Sequence, residues 1–259
     1  MNAHVEHSTK QGATAWVSHL LELRNRLLYV LLAVGLVFLA LVGFANEIYT
    51  FIANPLMVFL PENASMIATE VATPFLTPFK LTFFVAFVAS LPVVLYQGWA
   101  FLAPGLYNNE KSLILPLIAS SVLLFYSGIA FCYFVVLPLV FGFFTSMAPE
   151  GVTVMTDISS YLDFVVKLFM AFGVVFEIPI AIILLIRSGA VSPESLENKR
   201  PYVVVGCFVL GMFLTPPDVI SQMLLALPMW LLYELGVFIG RRLVLNKKEG
   251  GDNVTDAVA

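Results

Sequence analysis

The chain has 259 residues, 60% of them hydrophobic and only 12% charged, and a mean hydropathy of +0.94, which excludes an ordinary water-soluble domain. A formal net charge of −4 argues against a nucleic-acid partner. Cys132 and Cys207 both fall inside apolar blocks, where a thiol acts as a small core residue, so neither a disulfide nor a metal site is expected.

Residues 1–18 are polar, lack a cleavable signal pattern and read as a disordered or loosely helical arm. They lead into His19-Leu-Leu-Glu-Leu-Arg-Asn-Arg26, which sets Glu22, Arg24 and Arg26 against an uncharged run from Leu27 to Ala45. At about 1.5 Å per helical residue that run matches the hydrocarbon thickness of a bilayer, which puts the three charges at a membrane surface. Glu22 and Arg26 stand one helical turn apart, a spacing that by itself predicts an ion pair worth a few tenths of a kcal/mol.

Residues 46–79 hold Pro55, Pro61, Pro74 and Pro78 and no Lys or Arg. Their apolar content predicts a long extramembrane segment lying against the membrane. Lys80 opens a second block that runs to Ala103, with a bend expected at Pro92 because proline breaks the backbone ladder. The polar loop 104–111 carries Glu110. The third block, Leu113 to Phe144, is too long for one upright crossing and must tilt, kink at Pro116 or Pro138, or project beyond the bilayer. Ser160 and Asp163 have the form of a capping box that starts a fourth block near Tyr161 and ends at Arg187.

Ser192-Pro193-Glu194 reads as a helix start. Two further blocks, Pro201–Leu214 and Val219–Ile239, are separated only by Thr215-Pro-Pro-Asp218. Both are read as short membrane helices that thin the bilayer or are sheltered by neighbours. The expected architecture is therefore all-α, with a cytoplasmic arm (1–18), a single six-span membrane domain (19–242) and a disordered cytoplasmic tail (243–259). Of the 13 Lys and Arg residues, all but Lys80 and Lys167 fall on the side of the termini, and the positive-inside rule places that side in the cytoplasm.

Ionisable groups within a span cost free energy and need a reason to be there. Glu177, two residues before Pro179, reads either as a polar contact for a transport path or partner helix, or as a protonated carboxyl bonded to a carbonyl that Pro179 frees. Glu234 lies near the cytoplasmic end of its block and can reach the interface. Asp218 and Gln222 lie at the opposite end, where Asp218 can cap the last helix. Gly236-Val-Phe-Ile-Gly240 has the spacing of close helix packing. No metal-protease, nucleophile-elbow or phosphate-loop motif is present, so an enzyme is not expected and no cofactor is called for.

Several stretches in order resemble the TatC family, the multi-span receptor of the twin-arginine (Sec-independent) protein translocase. They are His19–Arg26, Asn54-Pro55-Leu56, Phe101-Leu-Ala-Pro104-Gly-Leu-Tyr-Asn-Asn-Glu110, Phe172–Pro179, Lys199-Arg-Pro-Tyr202 and Thr215-Pro-Pro-Asp218, within roughly residues 16–242. The resemblance implies binding of twin-arginine signal peptides on folded cargo, with Glu22 and Glu110 accepting the two guanidiniums, Arg24 fixing the local geometry and Phe101 supporting the loop. It also implies TatA-type and TatB-type single-span partners, docking near Glu177 and on the last two helices, where Asp218 and Gln222 lie, with Pro55 among the translocation or partner contacts. Self-association and energy from the proton-motive force in a bacterial inner membrane belong to the same expectation. The competing reading is a secondary transporter of a small molecule, which also uses broken helices and buried carboxylates. Only a receptor binds a twin-arginine peptide and loses it on Arg-to-Lys change.

Overall fold

The computed structural model describes the backbone of residues 3–58, 66–106, 114–147, 155–214 and 219–255, with side chains from His19 onward except at 56, 102–106, 114, 220–221 and 243–255. Among these residues the protein is all-α, and the only strand-like feature is a parallel bridge between Ile67 and Asp157. The chain falls into two compact units, Met1–Ala45 with Phe79–Val122, and Asn46–Pro78 with Leu123–Ala259.

In the first unit, α1 (Ala3–Leu41) continues into a 3-10 turn at Val42–Phe44. Within its apolar run Val34 is buried, whereas Leu27, Leu32 and Leu39 are 55%, 62% and 69% exposed. Such a surface is stable in lipid and not in water. Helix α3 (Thr73–Ala89) and α4 (Leu91–Leu106) meet at Ser90 with a bend of 54°. Pro92 has no N–H for the carbonyl of Val88, and the ladder restarts from the Ser90 carbonyl, which accepts from Val93 at 2.9 Å and Val94 at 3.1 Å. The bend is where the sequence places it, but the helix begins at Thr73 rather than Lys80, because Pro74 falls in the first turn, where a missing N–H costs nothing. Helix α1 packs on α4, and the Trp99 indole donates to Ser121 Oγ at 3.3 Å.

In the second unit, α2 (Ala45–Met57) continues the helical backbone into what the sequence reads as an extramembrane segment. The long third block is α5 (Ile114–Phe131), a π-helical turn (Cys132–Val136) and α6 (Leu137–Ser146). Its irregularity is thus a π-turn just before Pro138, which relieves the missing N–H by widening the turn. Helix α7 (Ile158–Phe176) is capped by Asp157, whose carboxylate accepts from Ser160 N–H at 3.0 Å. The expected cap on Ser160 with Asp163 is therefore corrected: the stronger acceptor three residues earlier takes the role, and Ser160 is its donor.

Glu177 separates α7 from α8 (Ile178–Arg187). Ser192 caps α9 (Pro193–Asn198) as the sequence predicts, accepting from Ser195 N–H at 3.2 Å. Helix α10 (Arg200–Leu214) has 15 residues and is short for a crossing. The last helix, α11 (Val219–Thr255), is not short: it has 37 residues, of which Gln222–Arg242 is its apolar span, and with no proline after Pro228 its backbone stays helical beyond the expected end near Ile239. Gly236 and Gly240 of α11 face Pro179 and Ile186 of α8, giving the close approach their spacing predicts.

Among the described residues four helices are long and apolar enough to cross a membrane, His19–Pro55, Leu115–Ser146, Ile158–Arg187 and Gln222–Arg242, and the bent pair α3–α4, taken as one span, adds a fifth. The chain is a multi-span membrane protein.

Candidate functional site

The first turns of α1 after the arm carry Glu22, Asn25 and Arg26, and α4 brings Gln97 across to them. Helical periodicity puts Glu22 and Arg26 on one face. Arg26 donates from Nε to Glu22 Oε1 at 3.0 Å and from Nη2 to the same oxygen at 2.6 Å. Its remaining nitrogen, Nη1, donates to Gln97 Oε1 at 3.1 Å. These groups line an open cavity of about 520 Å³ together with Leu21 and Tyr29. One turn earlier, His19 stacks on Phe101 at 4.3 Å between ring centres and 17° between planes. The stack holds α1 against the C-terminal half of α4, the helix that precedes Glu110 in the chain.

The ion pair expected from the Glu22–Arg26 spacing is therefore formed. Arg24 does not reach Glu22; its Nη2 donates to Asn25 at 3.3 Å. The residue that fixes the Glu22 carboxylate is Arg26, with Gln97 behind it. Gln97 is missed by sequence reasoning; its signal is a lone amide in the apolar block between Pro92 and Ala103. Glu110 lies outside the described residues, so its distance to Glu22 forms no part of the geometry.

The other site residues lie in the second unit. Pro55 is buried within α2. Its missing N–H leaves the Phe51 carbonyl without a helical donor, and Tyr133 supplies one at 2.8 Å, while Tyr161 donates to the neighbouring Ile52 carbonyl at 2.8 Å. Pro55 thus has a structural role in the attachment of α2. Glu177 sits at the α7–α8 break with its Oε1 oxygen buried, and its carbonyl accepts from Ala181 at 3.0 Å. Gln222 donates to the Phe208 carbonyl at 2.7 Å and so links α11 to α10. Asp218 lies outside the described residues. Glu234 pairs with Arg200 at 2.8 Å. Among the described residues no group of three or more His, Cys, Asp or Glu is placed to hold a metal. What the Glu22 cavity offers chemically is a partly exposed carboxylate, suited to a guanidinium ligand.

Residues 18–228 match the family described as Sec-independent protein translocase protein (TatC). A protein of that name from Azotobacter chroococcum is 62% identical over 227 residues, covering 88% of this chain and 89% of the relative. Its namesake in Escherichia coli K12 is 59% identical over 225 residues, covering 87% of each. A crystal structure described as the twin-arginine translocase receptor TatC superposes with a TM-score of 0.76 at 37% identity, covering 86% of this chain and 98% of that one. With the family match spanning the Glu22 site and the α7–α8 break alike, this chain belongs to the TatC family of Sec-independent protein translocase proteins and is a translocase component, not an enzyme.

Proposed function

We propose that the chain is the receptor and core component of a twin-arginine translocase, which binds the signal peptides of folded cargo through Glu22 and Glu110 and nucleates assembly of the export complex. The observation that carries this reading is the Glu22 carboxylate, held at the edge of an open cavity with both Arg26 contacts on Oε1, so that Oε2 takes no part in the pair. A guanidinium matches such an acceptor better than an ammonium because it presents two coplanar donors. Two arginines call for two carboxylates, and Glu110, which follows α4 in the chain, is the second. Arg24 and Phe101 serve this site at the periphery, Phe101 through its stack with His19.

The chain crosses a bacterial inner membrane six times, with α10 as the additional short crossing and both termini in the cytoplasm, since nearly all Lys and Arg lie on that side. TatA-type and TatB-type single-span helices dock near Glu177 and on α10 and α11 around Gln222 and Asp218, other copies of the chain associate with it, and the proton-motive force drives transport.

The test is binding of a signal peptide bearing Arg-Arg, and of its Lys-Lys counterpart, to the full chain in lipid nanodiscs and to Glu22→Ala and Glu110→Ala. Preference for Arg-Arg in the parent and its loss in either variant is expected. A parent that does not distinguish the peptides overturns the receptor reading and returns the secondary transporter to consideration.

A further inference from the structure

If Glu22 receives a guanidinium from the cargo, the site has a feature that this role alone does not explain: it already holds one. Arg26 makes two of its three contacts on a single oxygen, Glu22 Oε1, at 3.0 and 2.6 Å, and the third on Gln97 at 3.1 Å. Two prongs on one oxygen forgo the parallel, two-oxygen geometry in which guanidinium and carboxylate bind best, so an incoming arginine can offer Glu22 a better fit than its resident. The resident pair is also easy to open. It is an i,i+4 pair with side chains 23% and 40% exposed, and Glu22 is the more exposed partner, the one a ligand in the cavity meets first. Finally, Arg26 is not stranded when it lets go: Gln97, on a different helix, still accepts from it. A group built only to orient Glu22 has no need of that second acceptor.

We infer that Arg26 is a resident guanidinium which the signal peptide's arginine displaces from Glu22, and that Gln97 retains Arg26 after the exchange. The resident weakens every cationic ligand by a common factor, so that only a ligand with a second, independent anchor occupies the site. This inference rests on the receptor reading of Glu22.

The experiment measures affinity of the same Arg-Arg and Lys-Lys peptides for the full chain in nanodiscs. Removing the resident in Arg26→Gln tightens Arg-Arg binding by about 2- to 5-fold, the range for releasing a partly exposed i,i+4 pair, and leaves the Arg-Arg to Lys-Lys ratio unchanged. Arg26→Lys keeps the charge but loses the fork, and falls between parent and Arg26→Gln; equality with the parent overturns the exchange in favour of a plain charge effect. Gln97→Leu weakens binding in the parent, because the displaced Arg26 loses its acceptor, and has no effect in the Arg26→Gln background. Weaker Arg-Arg binding in both Arg26 variants means that Arg26 positions Glu22, and sinks the exchange while Glu22→Ala still supports the receptor reading. If Glu22→Ala keeps the parent's preference, that reading and the exchange fall together.

Discussion

Two polar residues of the second unit show how single side chains secure irregular backbone. Tyr133 is brought to the Phe51 carbonyl by the π-turn and repairs the gap that Pro55 makes. Tyr133→Phe keeps the ring stacked on Phe51 but orphans that carbonyl, and is expected to lower stability by about 1 kcal/mol, read as a lower melting temperature in detergent; an unchanged melt refutes the repair. Asp157 joins the segment at Ile67–Thr69 to the start of α7, accepting from Thr69 N–H at 3.2 Å, Thr69 Oγ1 at 3.1 Å and Ser160 N–H at 3.0 Å. The Ser160 N–H, against a desolvation that works the other way and with help from Thr69, holds this carboxyl below the usual carboxylate range. A lowered folded-state pKa stabilises the charged form. Its contribution is thus complete above the ordinary carboxylate value near ~3.9 and is lost as pH falls through the lower folded value. Melting temperatures from neutral to acid pH are expected to drop less steeply at the acid end for Asp157→Asn than for the parent, and to start lower; parallel curves would remove Asp157 from the acid response.

At the scale of elements, the glycines of α11 decide how near α8 can come. A Cβ added at Gly236 would lie 2.8 Å from Pro179 Cα and 3.0 Å from Ile182 Cδ1, and the first of these belongs to backbone that cannot rotate away. Gly236→Ala is expected to cost about 1–3 kcal/mol through overpacking. Gly206 of α10 has nothing within 4 Å of such a Cβ, so Gly206→Ala serves as a control that is neutral or mildly stabilising through helix propensity. Equal melting temperatures for the two variants would show that the α8–α11 approach is not set by Gly236. The bends follow a similar logic: Pro92 and Pro179 each remove a donor near a helix break, and Pro138 follows a π-turn, so each irregularity has a local covalent cause.

For the molecule as a whole, charge asymmetry governs orientation. All Lys and Arg but Lys80 and Lys167 are assigned to the side of the termini, and within the second unit the pairs Arg200–Glu234 at 2.8 Å and Arg241–Glu197 at 3.1 Å gather such residues where α9 and the start of α10 meet the middle of α11. On the proposed topology, with both termini cytoplasmic, Lys10→Cys and Lys247→Cys are expected to resist a membrane-impermeant maleimide in intact spheroplasts and to react once the membrane is opened. Labelling of one of the two before opening would require an odd number of crossings and remove α10 from the set.

The amino-acid sequence alone determines the membrane setting, the helical class, the bend at Pro92, the Ser192 cap and the Glu22–Arg26 pair. These follow from hydropathy, from proline's missing N–H, and from spacings within one helix, all of which are local. It also carries the family, because several motifs in order are far more specific than any one of them. The tertiary structure decided the rest. That the carboxylate capping α7 also ties down Thr69, 88 residues away in sequence, depends on packing that brings the two segments together. That Gln97 stands behind Arg26 depends on α1 lying against α4, the partners being 71 positions apart in the chain. That Tyr133 repairs the break at Pro55 depends on a π-turn no periodicity announces. In each case the deciding contact joins segments remote in the chain, and a side chain's reach across that distance is fixed by packing, which a linear pattern does not encode.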